Sequence, residues 1–201
     1  MDVIPNKTVE IVNRNADACW TVSEFCKKIL EKGGIRNVKV IPQGVVVDSQ
    51  ILPYQLQTKK SYKFLMVGNL GDVRKNTVSL IKAYLSTFTG KDDVCLVLKS
   101  VPGHKNSDPT ELVDIEKQGI ENPAEIEIVH KDLEDLTGLY KACSCLVHPA
   151  YSEGYGRPVI EAMAHGLPII ATGYGGYMDY TKDYPNIETM GFSLVEAKVS
   201  E

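Results

Sequence analysis

The sequence predicts an α/β fold built on a doubly wound, Rossmann-like parallel sheet. Between residues 63 and 195, short apolar runs alternate with polar loops and with segments of helical spacing, which is the pattern of βαβ units. The apolar runs are short and rich in β-branched residues, as is typical of strands that a parallel sheet buries on both faces. With 43% hydrophobic and 24% charged residues, the 201-residue chain has an ordinary globular composition.

The first sixty residues do not follow this pattern. The sequence from Thr21 to Glu24 predicts a capping box that opens a helix, and Gly33 and Gly34 close that helix. A short strand is expected at residues 38–41. One helix and one strand cannot form a core of their own. We therefore interpret residues 1–45 as the tail of a preceding domain and 46–60 as a linker, with the complete domain at 61–201.

The complete domain is expected to contain five or six strands separated by helices. The predicted strands are residues 64–67, 94–99, 126–129, 145–148 and 169–172, with 192–195 as a sixth. One helix is predicted at residues 76–88, with Asn76 as its N-cap, and another at 133–143, capped by Asp132. A third is predicted at residues 158–165, because Pro158 suits a first helical position and a Gly-Leu-Pro stop follows.

Composition excludes several classes of function. A net charge of −4 argues against bulk electrostatic binding to nucleic acid or to an anionic membrane. The five cysteines contain no CxxC pair, so we expect reduced thiols and no zinc site. No apolar stretch approaches the length that spans a bilayer, and the N-terminus lacks the basic and apolar regions of a signal peptide. We therefore expect a cytoplasmic protein without an integral membrane segment.

The loop at residues 68–76 is a candidate anion site. Ligands of open parallel sheets bind beyond the carboxyl ends of the strands, and this loop directly follows the first predicted strand. Its glycines are followed by Arg74 and Lys75 at the start of a helix. Two cations beside helix N-terminal amides favour a phosphate group. A solvated basic turn capped by Asn76 is the alternative.

The loop at residues 149–161 carries two glutamates. Glu153 lies in the loop and Glu161 lies in the following helix, so the two carboxylates are expected to reach different parts of one extended ligand. Carboxylates accept hydrogen bonds from hydroxyl pairs, such as those of a sugar and a ribose. The alternative is that Glu161 complements the helix dipole and Glu153 is solvated. A further glycine-rich loop at residues 172–179 is expected at the same rim, either as a ligand wall or as a turn. His148 is interpreted as a satisfied structural histidine rather than a general base.

Residues 132–149 and 153–168 resemble the retaining glycosyltransferases of the GT-B fold, in glycosyltransferase group 1 (family 4). Glu153 and Glu161 match the Glu-x7-Glu pair of that family. Residues 67–76 resemble its diphosphate loop. Residues 20–25 and 40–45 resemble the end of its N-terminal domain and its interdomain linker. The resemblance thus covers essentially the whole chain and identifies residues 61–201 as a nucleotide-sugar donor-binding domain.

The resemblance implies a role for each matching position. Lys75 would bind the diphosphate with Arg74 close by, and Glu153 would hold hydroxyls of the transferred sugar. Glu161 would take the ribose hydroxyls, and the loop that begins at His130 would border the base. Many members carry Arg where this chain has Asn69. The predicted catalytic residues are Glu153, Lys75 and Arg74, and the predicted donor-binding residues are Gly68, Asn69, Lys75, His130, Lys131, Glu153, Gly154, Tyr155, Gly156, Arg157 and Glu161.

We therefore expect the nucleotide-sugar-binding domain of a retaining hexosyltransferase. Its donor would be a GDP- or UDP-linked sugar, and a glycan or lipid acceptor would bind through an N-terminal domain absent from this chain, which we expect to be inactive alone. We expect no cofactor and no metal, because the sequence has no Asp-x-Asp triplet. Peripheral association with a membrane is compatible with this function. The alternatives are an inactive nucleotide-sugar-binding module, a sugar-nucleotide epimerase or a phosphorylase.

Overall fold

A computed structural model describes residues 4–103 and 107–191 of the chain. Its helices and strands follow one another in the predicted alternation from residue 62 onwards. The strands are β1 (Cys19–Thr21), β2 (Val38–Val40), β3 (Tyr62–Val67), β4 (Val94–Ser100), β5 (Glu125–His130), β6 (Cys145–His148), β7 (Ile169–Thr172) and β8 (Ile187–Met190). The helices are α1 (Asn6–Asn15), α2 (Glu24–Lys32), α3 (Thr77–Thr87), α4 (Thr110–Lys117), α5 (Thr137–Ala142) and α6 (Arg157–Ala164).

Six strands form one parallel sheet in the order β5-β4-β3-β6-β7-β8. This confirms the predicted fold class and all five of the principal predicted strands. The strand order reverses between β3 and β6, which places a topological switch point there. The sixth described strand is β8, which pairs with β7; the strand predicted at 192–195 lies outside the described residues.

The sheet is buried on both faces, as the apolar runs predict. On one face Leu65, Val97 and Leu146 pack in a cluster that includes residues of α5 and α6. On the other face Met66 and Leu98 pack in a cluster that includes residues of α3 and α4. Successive side chains of a strand point to opposite faces, so a strand covered on both sides needs a continuous apolar run rather than an alternating one.

The N-terminal segment contains more structure than the sequence indicated. Helix α1 and strand β1 were not predicted, and β1 pairs with β2 in a separate two-stranded parallel sheet. Helix α2 is capped by Ser23, whose hydroxyl accepts a hydrogen bond from the Cys26 amide at 3.0 Å. The N-cap is therefore Ser23, two residues after the predicted Thr21. The same hydroxyl donates to the Gly154 carbonyl at 2.6 Å, so a contact with another part of the chain fixes the cap.

One predicted helix start is confirmed in position and another is not. Helix α3 begins directly after Asn76, which holds the predicted N-cap position. Asn76 adopts a left-handed conformation (φ 59°) and makes no side-chain cap; its amide donates instead to the Pro149 carbonyl at 3.2 Å. Helix α5 begins at Thr137 rather than residue 133, because the Asp135 carboxylate accepts from the Thr137 amide. Asp132 therefore does not cap this helix.

The predicted linker has no helix or strand but follows a defined path. The Lys141 ammonium donates to the carbonyls of Asp48, Ser49 and Ile51, at 3.1, 3.0 and 2.7 Å. Further along, the Glu127 carboxylate accepts from the Gln57 and Thr58 amides, both at 2.9 Å. These contacts hold residues 48–58 against α5 and β5. The proposed domain boundaries themselves stay predictions. No helix in the described ranges is long and apolar enough to cross a membrane.

Candidate functional site

The loops that follow β3 and β6 meet at the switch point of the sheet. The Tyr151 amide donates to the Arg74 carbonyl at 2.9 Å, and the Arg74 guanidinium donates to the Ser152 carbonyl at 2.7 Å. The two loops are almost eighty residues apart in sequence. Parallel strands with adjacent carboxyl ends bring them together at the rim where ligands of such sheets bind.

The centre of this rim is a carboxylate faced by two cations. Lys75, in the single 3₁₀ turn Val73–Lys75, donates to Glu153 Oε1. The Arg74 guanidinium lies 3.0 Å from the same oxygen. Lys75 is 8% exposed and the Glu153 side chain 11%, so the pair is largely removed from water. We call Arg74, Lys75 and Glu153 the charge cluster.

The charge cluster keeps Glu153 ionised. Burial by itself raises the pKa of the Glu153 carboxyl, but the hydrogen bond and charge of Lys75, with the other neighbouring cations, outweigh it and leave the pKa below its usual value. The resulting group combines two fixed donors with an acceptor. Such an arrangement can bind a ligand that carries both anionic and hydroxyl groups.

His148 lies beneath the charge cluster and is fully buried. Its Nε2 is 3.6 Å from Glu153 Oε1, and no described residue gives this nitrogen a hydrogen-bond partner. The interpretation as a fully satisfied histidine is therefore wrong for Nε2. Burial, with the charges of Lys75 and Arg74, lowers the pKa of His148 to about 4. The ring is thus neutral near pH 7 and too weakly basic to be an efficient general base.

The glycines behind the charge cluster permit close packing of two loops. Gly156 has a φ of 77° and precedes the first residue of α6, a conformation that favours glycine. Gly176 donates from its amide to the Glu153 carbonyl at 2.8 Å. A Cβ at Gly176 would lie 1.8 Å from the Gly154 carbonyl oxygen. The glycine-rich loop at residues 172–179 therefore forms a wall behind the loop that carries Glu153.

Glu161 lies on α6 and is held from two sides. Its Oε2 accepts from the Tyr140 hydroxyl at 2.7 Å, and its Oε1 accepts from Arg157 at 3.0 Å. Arg157 is 68% exposed in its side chain, whereas Tyr140 is buried. The carboxylate is therefore placed by specific donors in addition to any interaction with the helix dipole.

The predicted base-side residues lie at the end of β5. His130 Nδ1 is 2.6 Å from the Ser100 hydroxyl, and the Lys131 ammonium lies 4.8 Å from the centre of the Tyr54 ring. The buried Lys99 ammonium donates to the Lys131 and Ser100 carbonyls, at 2.8 and 2.6 Å. Burial lowers the pKa of Lys99. This lysine fixes the backbone of the loop that begins at His130.

The remaining predicted site residues are Gly68, Asn69 and Tyr155, of which the first two are partly exposed and Tyr155 is buried. Gly68 donates from its amide to the Lys99 carbonyl at 3.0 Å. Asn69 Oδ1 is buried, and no described residue gives it a partner. The Tyr155 hydroxyl donates to the Gln43 carbonyl at 2.5 Å, so this side chain is engaged within the fold.

Sequence reasoning missed three residues that shape the rim: Tyr140, Lys99 and Ser23. Tyr140 fitted the apolar stripe of a helix, and nothing in the sequence distinguished it from a core residue. Lys99 carried a signal, because it places a charge at the end of an otherwise apolar strand. The predicted capping box places Ser23 in its interior rather than at the N-cap. Among the residues that the structure describes, no group of three His, Cys, Asp or Glu side chains could hold a metal ion.

One family model, several curated proteins and several solved structures are similar to this chain. A family model described as "Glycosyl transferases group 1" matches residues 49–192. The D-inositol 3-phosphate glycosyltransferase of Corynebacterium kroppenstedtii is 32% identical over 68 residues, which are 34% of this chain and 15% of that protein.

Solved structures match almost the whole chain. Anabaena Alr3699/HepE, in complex with UDP and glucose, matches with a TM-score of 0.74 and 20% identity, over 92% of this chain and 52% of that one. The pneumococcal O-GlcNAc transferase GtfA, in complex with UDP and GlcNAc, has a TM-score of 0.69 and 17% identity, over 94% and 36%. At these identities the structures show the fold. The chain spans about half the length of the Anabaena protein.

Proposed function

Because the chain belongs to the group 1 glycosyl transferases, we propose that it is the donor-binding part of an enzyme that transfers a hexose from a nucleoside-diphosphate sugar. The observation that carries this proposal is the convergence of Arg74 and Lys75 on Glu153 at the switch point of the sheet. The family match favours transfer over epimerisation. Since the chain spans only part of the length of its relatives, the acceptor would bind to a further domain.

The diphosphate would bind at Lys75 and Arg74. Both cations lie at the carboxyl end of β3, where the ligands of this fold bind. Both cations lie within ion-pair distance of Glu153, so the diphosphate would replace this carboxylate as their partner. Charge-assisted hydrogen bonds to phosphate are strong and need no metal. We accordingly propose metal-independent binding.

The sugar and the ribose would bind to the two glutamates. Glu153, released in part from the cations, would accept hydrogen bonds from hydroxyls of the transferred sugar. Glu161 would accept from the ribose hydroxyls, and the loop that begins at His130 would border the base. The backbone of residues 154–156 would line the sugar and the phosphates.

The proposed chemistry depends on charge that develops on the leaving group. The bond between the anomeric carbon and the β-phosphate oxygen breaks, and its electron pair goes to the departing nucleoside diphosphate. Lys75 and Arg74 would stabilise this charge more in the transition state than in the ground state. The oxygen of the acceptor hydroxyl would form the new bond to the anomeric carbon, and its proton would pass to the departing diphosphate oxygen. His148, with its pKa of about 4, is not a suitable base for that proton. Retention of configuration is proposed from the family resemblance.

UDP is the first nucleotide to test. Both structural relatives described above were solved in complex with UDP. A GDP-linked donor is the alternative, because no described contact distinguishes the two bases. A glycan or a lipid is proposed as the acceptor.

A thermal-shift panel of UDP-, GDP- and ADP-linked sugars tests the proposal. We expect the nucleotide sugars of one base to raise the melting temperature of the parent chain, and we expect Lys75→Ala to abolish that shift. Lys91→Ala provides the control, since Lys91 lies in the turn before β4, at the opposite edge of the sheet from the charge cluster. Absence of a shift with every nucleotide, or an unchanged shift in Lys75→Ala, would refute the assignment. We expect binding without turnover from these 201 residues alone.

A further inference from the structure

Resting on the proposed function, we infer that Tyr140 is a positioning residue that fixes the hydroxyl-binding geometry of Glu161. Tyr140 lies in α5 and is 1% exposed. Its hydroxyl donates to Glu161 Oε2 at 2.7 Å and lies 3.4 Å from the Pro158 carbonyl. It therefore reaches α6 at two points and ties the carboxylate to the core of the domain.

Tyr140 is held rigidly, and it remains a neutral donor. Its ring stacks on His165, with centroids 5.2 Å apart and an interplanar angle of 18°. His165 in turn contacts the Glu161 carbonyl through Nδ1 at 2.7 Å. Burial, followed by the charge of Glu161, holds the pKa of Tyr140 well above its usual value. The hydroxyl thus keeps its proton and its direction throughout the neutral pH range.

The second donor to Glu161 cannot perform the same task. Arg157 is largely exposed and stands four residues before Glu161 on the same helix. Exposed pairs of this kind contribute little and reorganise readily. Without the Tyr140 hydroxyl, the carboxylate would be free to follow the Arg157 guanidinium toward solvent. Tyr140 therefore decides whether Glu161 faces a ligand.

Loss of the Tyr140 hydroxyl should weaken the binding only of ligands that carry a pair of neighbouring hydroxyls. An ionised carboxylate offers about four acceptor positions, and the two observed donors leave room for two neighbouring hydroxyls. The Tyr140 hydroxyl contacts Glu161 rather than the ligand, so its effect on binding acts through Glu161. Loss of its hydroxyl should weaken the hydroxyl-dependent part of binding and leave the diphosphate-dependent part intact.

The test compares UDP with 2′,3′-dideoxy-UDP, and GDP with its dideoxy analogue if GDP binds better. Calorimetric Kd values are measured for the parent chain, Tyr140→Phe and Tyr184→Phe. Tyr184 is the matched control, since its hydroxyl donates to the Leu167 carbonyl at 2.7 Å rather than to Glu161. Hydrogen bonds to a charged group predict that the parent prefers the ribonucleotide by about tenfold or more.

Tyr140→Phe should reduce this preference to about threefold or less, because the variant loses the part of the binding free energy that comes from hydrogen bonds between Glu161 and the ribose hydroxyls. The Kd of the dideoxy analogue should stay unchanged, and Tyr184→Phe should behave like the parent. A preference that survives in Tyr140→Phe, or equal weakening of both ligands, overturns the inference and leaves the proposed function intact. A parent that binds UDP without preferring it over the dideoxy analogue overturns the inference too. Absence of binding to any nucleotide overturns the proposed function itself.

Discussion

Glu153→Gln should increase the affinity of the protein for UDP, although it removes a proposed donor-binding residue. Glu153 Oε1 is shared by Lys75 and Arg74, and the side chains of Lys75 and Glu153 are nearly buried. UDP must displace this carboxylate to reach the cations. Glutamine can still accept from Lys75 but carries no charge, so the cations become more available to phosphate.

The size of the effect follows from the contact that is weakened. A hydrogen bond to a charged group contributes about 1.5–3 kcal/mol, against about 1 kcal/mol for a neutral one. Loss of the Glu153 charge should therefore weaken its contacts with the cations by about 0.5–2 kcal/mol, which corresponds to roughly two- to thirtyfold tighter binding of UDP. The sugar, by contrast, loses a charged acceptor. The preference for a UDP-linked sugar over UDP should therefore fall in the same variant.

Isothermal titration calorimetry with UDP measures this change directly. Asp72→Asn is the control, because Asp72 contacts Arg74 at 3.3 Å from an exposed position and such pairs contribute little. We expect less than about a twofold change in that control. If Glu153→Gln binds UDP no more tightly than the parent while it retains its melting temperature, Glu153 does not compete with the diphosphate.

Three further predictions concern stability. Because the pKa of His148 is about 4 in the folded protein against 6.5 ordinarily, the free energy of unfolding should be unaffected by this histidine above pH 6.5 and should fall by up to about 3 kcal/mol as the pH drops toward 4. Denaturant titrations of His148→Gln should show a smaller fall over the same pH range. Gly176→Ala would bring a Cβ to 1.8 Å from a carbonyl oxygen and should cost at least about 2 kcal/mol in the free energy of unfolding, whereas Gly44→Ala, with open space around it, should change the melting temperature little. Lys141→Ala removes three hydrogen bonds to residues 48–51 and should increase amide hydrogen exchange there; unchanged exchange would contradict its role as an anchor.

The sequence was most informative about the sheet. Residues 145–148 and 169–172 were assigned as strands with the bounds that the structure has, because a buried parallel strand needs an uninterrupted apolar run. The first turns of helices were less predictable. Ser23 and Asn76 each have a partner elsewhere in the chain, the carbonyls of Gly154 and Pro149. A cap that also makes a tertiary contact cannot be identified from local spacing.

The candidate site, too, combines a feature that the sequence predicts with contacts that it does not. The meeting of the loops after β3 and β6 follows from the rule that ligands bind at the carboxyl ends of parallel strands. The pairing of Lys75 with Glu153, 78 residues away, depends on side-chain directions that the sequence does not encode in any short pattern. Tyr140 shows the limit most clearly, since an apolar stripe gives no sign that its hydroxyl reaches a carboxylate on another helix.

The most direct test of the central claim is a titration of the ¹⁵N-labelled chain with UDP, followed by amide NMR. The diphosphate is proposed to bind where Lys75 and Arg74 face Glu153. We therefore expect the largest shift changes in residues 68–76 and 153–157, with smaller changes near Glu161 and His130. Changes concentrated in α4 or in the β1–β2 sheet, with the charge cluster unaffected, would contradict the account.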